Sequence, residues 1–130
     1  MTYFDLDIED CPVELSLQII TRKWVLQLIR DMFFGKTRFK EFKEEKPNLS
    51  NKALSRCLKD MESNNLIKRI VNPQDKTDIQ YFLTEKGRLL NKVIYELVIF
   101  TLENEDNKDK YAEDTKIKIK QLFKEKLEIS

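Results

Sequence analysis

The chain contains no histidine, 2 glycines, 3 prolines, 2 cysteines and a single tryptophan. Each shortage closes off a class of protein. Without histidine, the commonest general base and metal ligand is missing. No Cys-x-x-Cys pair or Cys/His cluster is present to hold zinc. Scarcity of glycine and proline favours a mostly helical chain. Two widely separated cysteines do not form a disulfide framework. No stretch is apolar for the roughly 18 residues a membrane span needs. The N-terminus, MTYFDLDIED, is acidic where a signal peptide is basic and then apolar. Gly35-Lys36-Thr37 echoes the end of a phosphate loop, but Arg30 stands where that motif requires glycine. The expectation is a cytoplasmic, non-enzymatic chain with no metal, cofactor or membrane partner.

What is present points elsewhere. With 130 residues, 41% hydrophobic and 36% charged, the chain can bury a core and is expected to form one domain, residues 1–130. The formal net charge of +1 conceals an asymmetry. Residues 1–21 carry net −5, residues 22–92 net +8, and residues 93–130 net −2. A concentrated positive field of this kind is the electrostatic footprint of a phosphate-binding surface.

The centre of that segment is LSNKALSRCLKDMESNNLIKR, residues 49–69. Ser50 is suited to cap a helix over 50–63, and Leu49 and Leu54 to staple its start. Leu54, Leu58 and Met61 recur at helical spacing on one side, with Cys57 beside them. Lys52, Arg56, Lys59 and Ser63 occupy the other. A helix fastened along one face and cationic on the other suits the DNA major groove, although a solvated charged face produces the same pattern.

The surroundings favour the DNA reading. A first helix is expected from Cys11–Pro12 through Val13, Leu17 and Ile20. A second runs from about Lys23 to Phe34 and is ended by Gly35. A short third helix is expected to be capped by Thr37, to bury Phe39 and Phe42, and to end at Pro47. After the basic helix, Asn64–Asn65 tolerates a left-handed turn. Ile67–Val71 and Ile79–Leu83 read as strands around a loop, NPQDKTD, with Lys76 near its tip. Thr84 is suited to cap one long helix whose apolar positions run from Leu89 to Leu102. That stripe is wider than one small domain can cover. The charged stretch 103–110 reads as a linker, and a last helix is expected over about 112–128. The order is that of a winged helix-turn-helix: mainly α with a small β-hairpin (α+β), with additional N- and C-terminal dimerisation helices. The DNA-binding core spans about 11–84, and the dimerisation helices about 84–103 and 112–128, with the N-terminal segment.

The stretches CPVE (11–14), KW (23–24), RFKEF (38–42), SNKALSRCLKDME (50–62), NLIKR (65–69) and QYFLTEKGRLL (80–90) resemble the HxlR-type winged-helix transcriptional regulators of prokaryotes, relatives of the MarR group. The resemblance covers residues 11–102. It implies a homodimer on double-stranded DNA, with an inverted-repeat operator and control of nearby genes, here read as repression. On this reading Asn51, Lys52, Ser55 and Arg56 are candidates for base edges or nearby phosphates, and Arg for guanine. Lys59, Arg69, Lys76 and Arg38 are candidates for phosphates. Leu90, Val93, Ile94, Leu97, Val98, Leu122 and Phe123 are the expected dimer contacts. Cys11 lies where a helix dipole favours a thiolate and where some relatives carry a redox sensor, yet Glu9, Asp10 and Glu14 oppose the anion. Sensing and simple packing both stay open there. The rival to DNA binding is a winged helix that binds protein.

Overall fold

A computed structural model describes residues 3–104, 106 and 110–130. In chain order its elements are α1 (Pro12–Ile20), α2 (Val25–Phe33), α3 (Phe39–Phe42), α4 (Asn51–Ser63), β1 (Ile67–Asn72), β2 (Asp75–Leu83), α5 (Glu85–Arg88), α6 (Asn91–Glu103) and α7 (Glu113–Lys126). This is a mainly helical winged helix-turn-helix with one antiparallel hairpin. The expected linker at 103–110 lies partly outside the described residues, since 105 and 107–109 are not among them. Among the described residues, no helix is long and apolar enough to cross a membrane.

The core gathers Leu28 and Ile29 of α2, Phe42 of α3, and Leu54, Leu58 and Met61 of α4 around Leu66, Ile67 and Leu83 of the wing base. Ile94 of α6 and Leu127 after α7 close it from the far side. Each fully buried aliphatic or aromatic side chain of this set contributes about 1.5–3 kcal/mol by leaving water.

Helix α2 begins at Val25, two residues later than the periodicity suggests, because Trp24 is its N-cap and adopts φ 78°, left-handed backbone. It ends as expected at Gly35, whose φ of 97° permits a paired closure. Gly35 N–H donates to Met32 O (3.1 Å) and Lys36 N–H to Asp31 O (3.0 Å). Helix α3 departs from expectation at both ends. Thr37 does not cap it; Arg38 is the N-cap, and the Glu41 carboxylate accepts from Thr37 N–H (3.0 Å) and Arg38 N–H (2.9 Å). Those two backbone hydrogen bonds hold the Glu41 carboxyl below the usual range. Pro47 does not end the helix either; it stops at Phe42, and the left-handed Glu45 turns the chain.

Helix α4 follows its pattern closely. Ser50 Oγ accepts from Ala53 N–H at 3.1 Å, and Leu49 and Leu54 are both buried at its start. Asn65, at φ 60°, closes the other end: Asn65 N–H donates to Glu62 O (3.0 Å) and Leu66 N–H to Met61 O (2.9 Å).

Two later expectations are corrected. The loop expected at 72–78 is mostly strand: Asn72 pairs with Asp75, so the turn reduces to Pro73–Gln74. Lys76 therefore sits on β2 just past the turn. The single long helix after Thr84 is two. Thr84 Oγ1 accepts from Gly87 N–H (3.1 Å) to cap α5, and the chain breaks at Leu89–Leu90 before α6. Gly87, within α5, makes a close approach. A Cβ on Gly87 would lie 2.2 Å from Leu66 O, so α5 is pressed onto the joint between α4 and β1.

Candidate nucleic-acid interface

The buried row of α4, Leu54, Cys57, Leu58 and Met61, fixes which face looks outward. Asn51, Lys52, Ser55, Arg56 and Lys59 are all exposed on the other side. Arg69 on β1 and Lys76 on β2 are exposed as well, and Arg69 pairs across the hairpin with Tyr81. Ser55, Lys59, Glu62, Arg69 and Tyr81 line a cleft of about 310 Å³, which brings the recognition-helix candidates and the wing together. Among the described residues, Lys52, Arg56, Lys59, Arg69 and Lys76 form no ion pair. These cations are left for an external anion.

Two expected DNA ligands are engaged inside the protein. Arg38 forms an ion pair with Asp78 of β2. Asp78 also accepts from Asn72 Nδ2 (3.0 Å), and the Arg38 and Asn72 hydrogen bonds keep its carboxyl below the usual range. Thr37 reinforces the joint: its carbonyl accepts from Tyr81 N–H (2.8 Å) and its hydroxyl donates to Gln80 Oε1 (3.0 Å). Arg38 thus ties the wing to α3, and a phosphate must compete with Asp78 for it. Asn51 Oδ1 accepts a hydrogen bond from Lys43 Nζ, and among the described residues its Nδ2 donates to no protein group.

A second cationic cleft of about 350 Å³ lies between α4 and the start of α2. Arg22, Lys23, Asn48 and Arg56 line it. Arg22 is held by Asp60 at 3.1 Å, and Lys23 sits 5.5 Å over the Trp24 ring. The sequence reading missed this pair. Its signal is the basic Arg22-Lys23 dipeptide just before a helix whose free N–H groups favour anions.

Both thiols are buried and free. Cys11 is the N-cap of α1. Cys57 lies 3.7 Å from Lys23 O and 3.7 Å from Met61 Sδ, and burial, reinforced by the Asp60 charge, pushes its thiol up to about 11.

Of the expected dimer contacts, Ile94 is spent inside the protomer at 5% exposure, which corrects its assignment. Leu90 and Phe123 also pack against the protomer core, and Val98 faces a cavity. Val93, Leu97 and Leu122 are exposed.

A basic, capped helix buried along one face and followed by a wing is the architecture of a DNA-binding transcriptional regulator. The chain belongs to the HxlR-like helix-turn-helix family, which it matches over residues 19–109. It is 36% identical over 108 residues to the HTH-type transcriptional regulator YdeP of Bacillus subtilis, covering 83% of this chain and 84% of that one. Among solved structures it resembles the reduced form of the transcriptional regulator YodB from B. subtilis, with TM-score 0.61 and 32% identity over 74% of this chain and 95% of that one. It also resembles the redox regulator HypR in its reduced form, with TM-score 0.69 and 32% identity over 78% of this chain and all of the other (100%).

Proposed function

We propose that the chain is a cytoplasmic, non-catalytic repressor that folds as one domain and binds an inverted-repeat operator as a homodimer. Each protomer places α4 in a major groove. Asn51, Lys52, Ser55 and Arg56 read bases or adjacent phosphates, while Lys59, Arg69 and Lys76 grip the backbone, joined by Arg38 where a phosphate displaces Asp78.

The observation that carries the dimer is the distribution of exposed apolar side chains. Between residues 22 and 84 only Ile70 is a large exposed hydrophobic. The others lie in the terminal elements, including Val13 (61%), Leu89 (77%), Phe100 (69%) and Ile117 (64%). Apolar surface concentrated away from the cationic face is what a partner copy would cover. Two linked recognition helices then reach adjacent grooves about one DNA turn apart.

Light scattering with gel-shift titration tests the reading. A dimer at micromolar concentration that binds one inverted repeat is expected. Val93→Asp should yield a folded monomer by circular dichroism with DNA affinity reduced at least tenfold. A monomeric parent that binds the full repeat tightly would overturn it.

A second reading places a thiol switch at Cys11. It is supported by the likeness to a regulator whose solved form is described as a redox regulator. Loss of oxidant response in Cys11→Ser, with unchanged DNA binding under reduction, is the expected result.

A further inference from the structure

We propose that a cavity between α2, α6 and α7 is an effector site for a compact hydrophobic carboxylate. The cavity measures about 490 Å³, within the range of small-molecule sites. Leu26, Val98, Leu102 and Phe123 supply apolar walls, and Thr101 lines it with a hydroxyl. Arg30 is the one charged side chain lining it among the described residues, and no acid accompanies it there.

The charge behind Arg30 decides the sign of the ligand. Arg30 Nε and Nη2 donate to Asp31 Oδ1 at 3.1 and 3.0 Å. The other Asp31 oxygen takes the ammonium of Lys46, which also donates to Phe42 O at 2.9 Å. Two cations therefore share one carboxylate. Asp31 and Lys46 are buried, whereas the Arg30 side chain is 38% exposed. The surplus positive charge of the triad reaches solvent only through Arg30, at the cavity wall. An anion on an apolar body satisfies the walls and gives the guanidinium a charge-assisted hydrogen bond; a neutral amide can offer Arg30 only an uncharged acceptor, and a cation is repelled by it.

The same triad links the cavity to DNA. Lys46 lies in the turn before α4, where Leu49 N–H donates to Lys46 O at 3.0 Å just ahead of the Ser50 cap. A ligand carboxylate that draws Arg30 away leaves buried Asp31 with one cationic partner fewer, an unfavourable state that a shift of this turn relieves. Ligand binding should thus weaken DNA binding. This coupling rests on the operator-binding role of α4, whereas occupancy of the cavity does not.

A partner copy need not block the site. On α6, Val93 and Phe100 fall on one flank and Ile94, Val98 and Leu102 on the other, with Leu97 between them at the edge shared by the cavity and the expected dimer face.

Octanoate and octanamide serve as probes for calorimetry on the full chain without DNA. Octanoate should bind saturably at least tenfold tighter than octanamide, as a charge-assisted hydrogen bond implies. Arg30→Gln should reduce that preference to about onefold. Thr101→Phe, which fills the cavity without changing charge, should abolish binding of both while the circular dichroism spectrum is retained. Equal affinity of the parent for acid and amide, or undiminished binding by Thr101→Phe, overturns the site. Gel shifts with and without octanoate test the link: octanoate should weaken the parent's DNA binding at least fivefold and leave that of Thr101→Phe unchanged. If the parent binds DNA and octanoate without this effect, the coupling is refuted. If it binds octanoate but no DNA, it is the operator reading that fails.

Discussion

Removing one member of the Asp31–Lys46 pair should cost more than removing both. The side chains of Asp31 and Lys46 are 7% and 5% exposed. Asp31→Leu strands the Lys46 ammonium among apolar neighbours with only the Phe42 carbonyl, at 2.9 Å, as a hydrogen-bond partner. A buried pair broken in this way costs about 3–5 kcal/mol. Lys46→Met is milder, roughly 2–3 kcal/mol, because Asp31 keeps both Arg30 hydrogen bonds. The double variant Asp31→Leu/Lys46→Met should lie within about 1 kcal/mol of the parent, since well-packed apolar substitutes often match a buried ion pair. Urea unfolding followed by circular dichroism measures all three. For a domain of this size, about 3–5 kcal/mol corresponds to a Tm loss on the order of 10–20 °C. A double variant as unstable as the sum of the singles would refute the ion-pair argument. So would Lys46→Met proving worse than Asp31→Leu.

Three further results are expected. Gly87→Ala should destabilise by about 2–3 kcal/mol in the same urea assay, because the added methyl meets the Leu66 backbone rather than a yielding side chain; a parent-like midpoint would count against the close approach. Cys57 should resist alkylation by iodoacetamide at neutral pH, as its thiol stays protonated until pH approaches about 11. Modification at a free-thiol rate in the native protein, read by peptide mass spectrometry, would exclude that burial. Finally, Lys76→Ala should weaken binding to all DNA sequences alike and lower the slope of log K against log salt by roughly one, whereas Arg56→Ala should relax preference at one base position per half-site at about 1–3 kcal/mol. A uniform loss for Arg56→Ala would reassign it to phosphate.

Local signals carried most of the architecture. Helix α4 was legible because its cap, staple, apolar period and terminal Asn65 all lie within residues 49–65, and each acts on near neighbours. The break at Leu89–Leu90 was not, since the apolar period runs straight through it. The wing was read too short for a similar reason. Asp75 and Asp78 look like turn residues, but Asp78 is held in β2 by Arg38 and Asn72. The same long-range pairing hid the engagement of Arg38, while that of Asn51 comes from Lys43 across the turn before α4. Asp31 and Lys46 were indistinguishable from surface charges until the fold brought them together. The dimer stripe runs through residues that the protomer uses itself, since Ile94, Leu90 and Phe123 pack in or against its own core.

The anchoring of the hairpin has a consequence for how such a protein diversifies. Ile67 and Leu83 seat the base of the hairpin in the core, its polar ties to Thr37 and Arg38 fall at Asp78, Gln80 and Tyr81, and residues 73–77 are exposed beyond them. The tip can therefore be lengthened, shortened or recharged while the ties that hold the hairpin against α3 stay intact. On the proposed operator reading, natural variation in that short stretch would alter the DNA footprint at its edge without disturbing α4, so that new operators become accessible through small, separable steps.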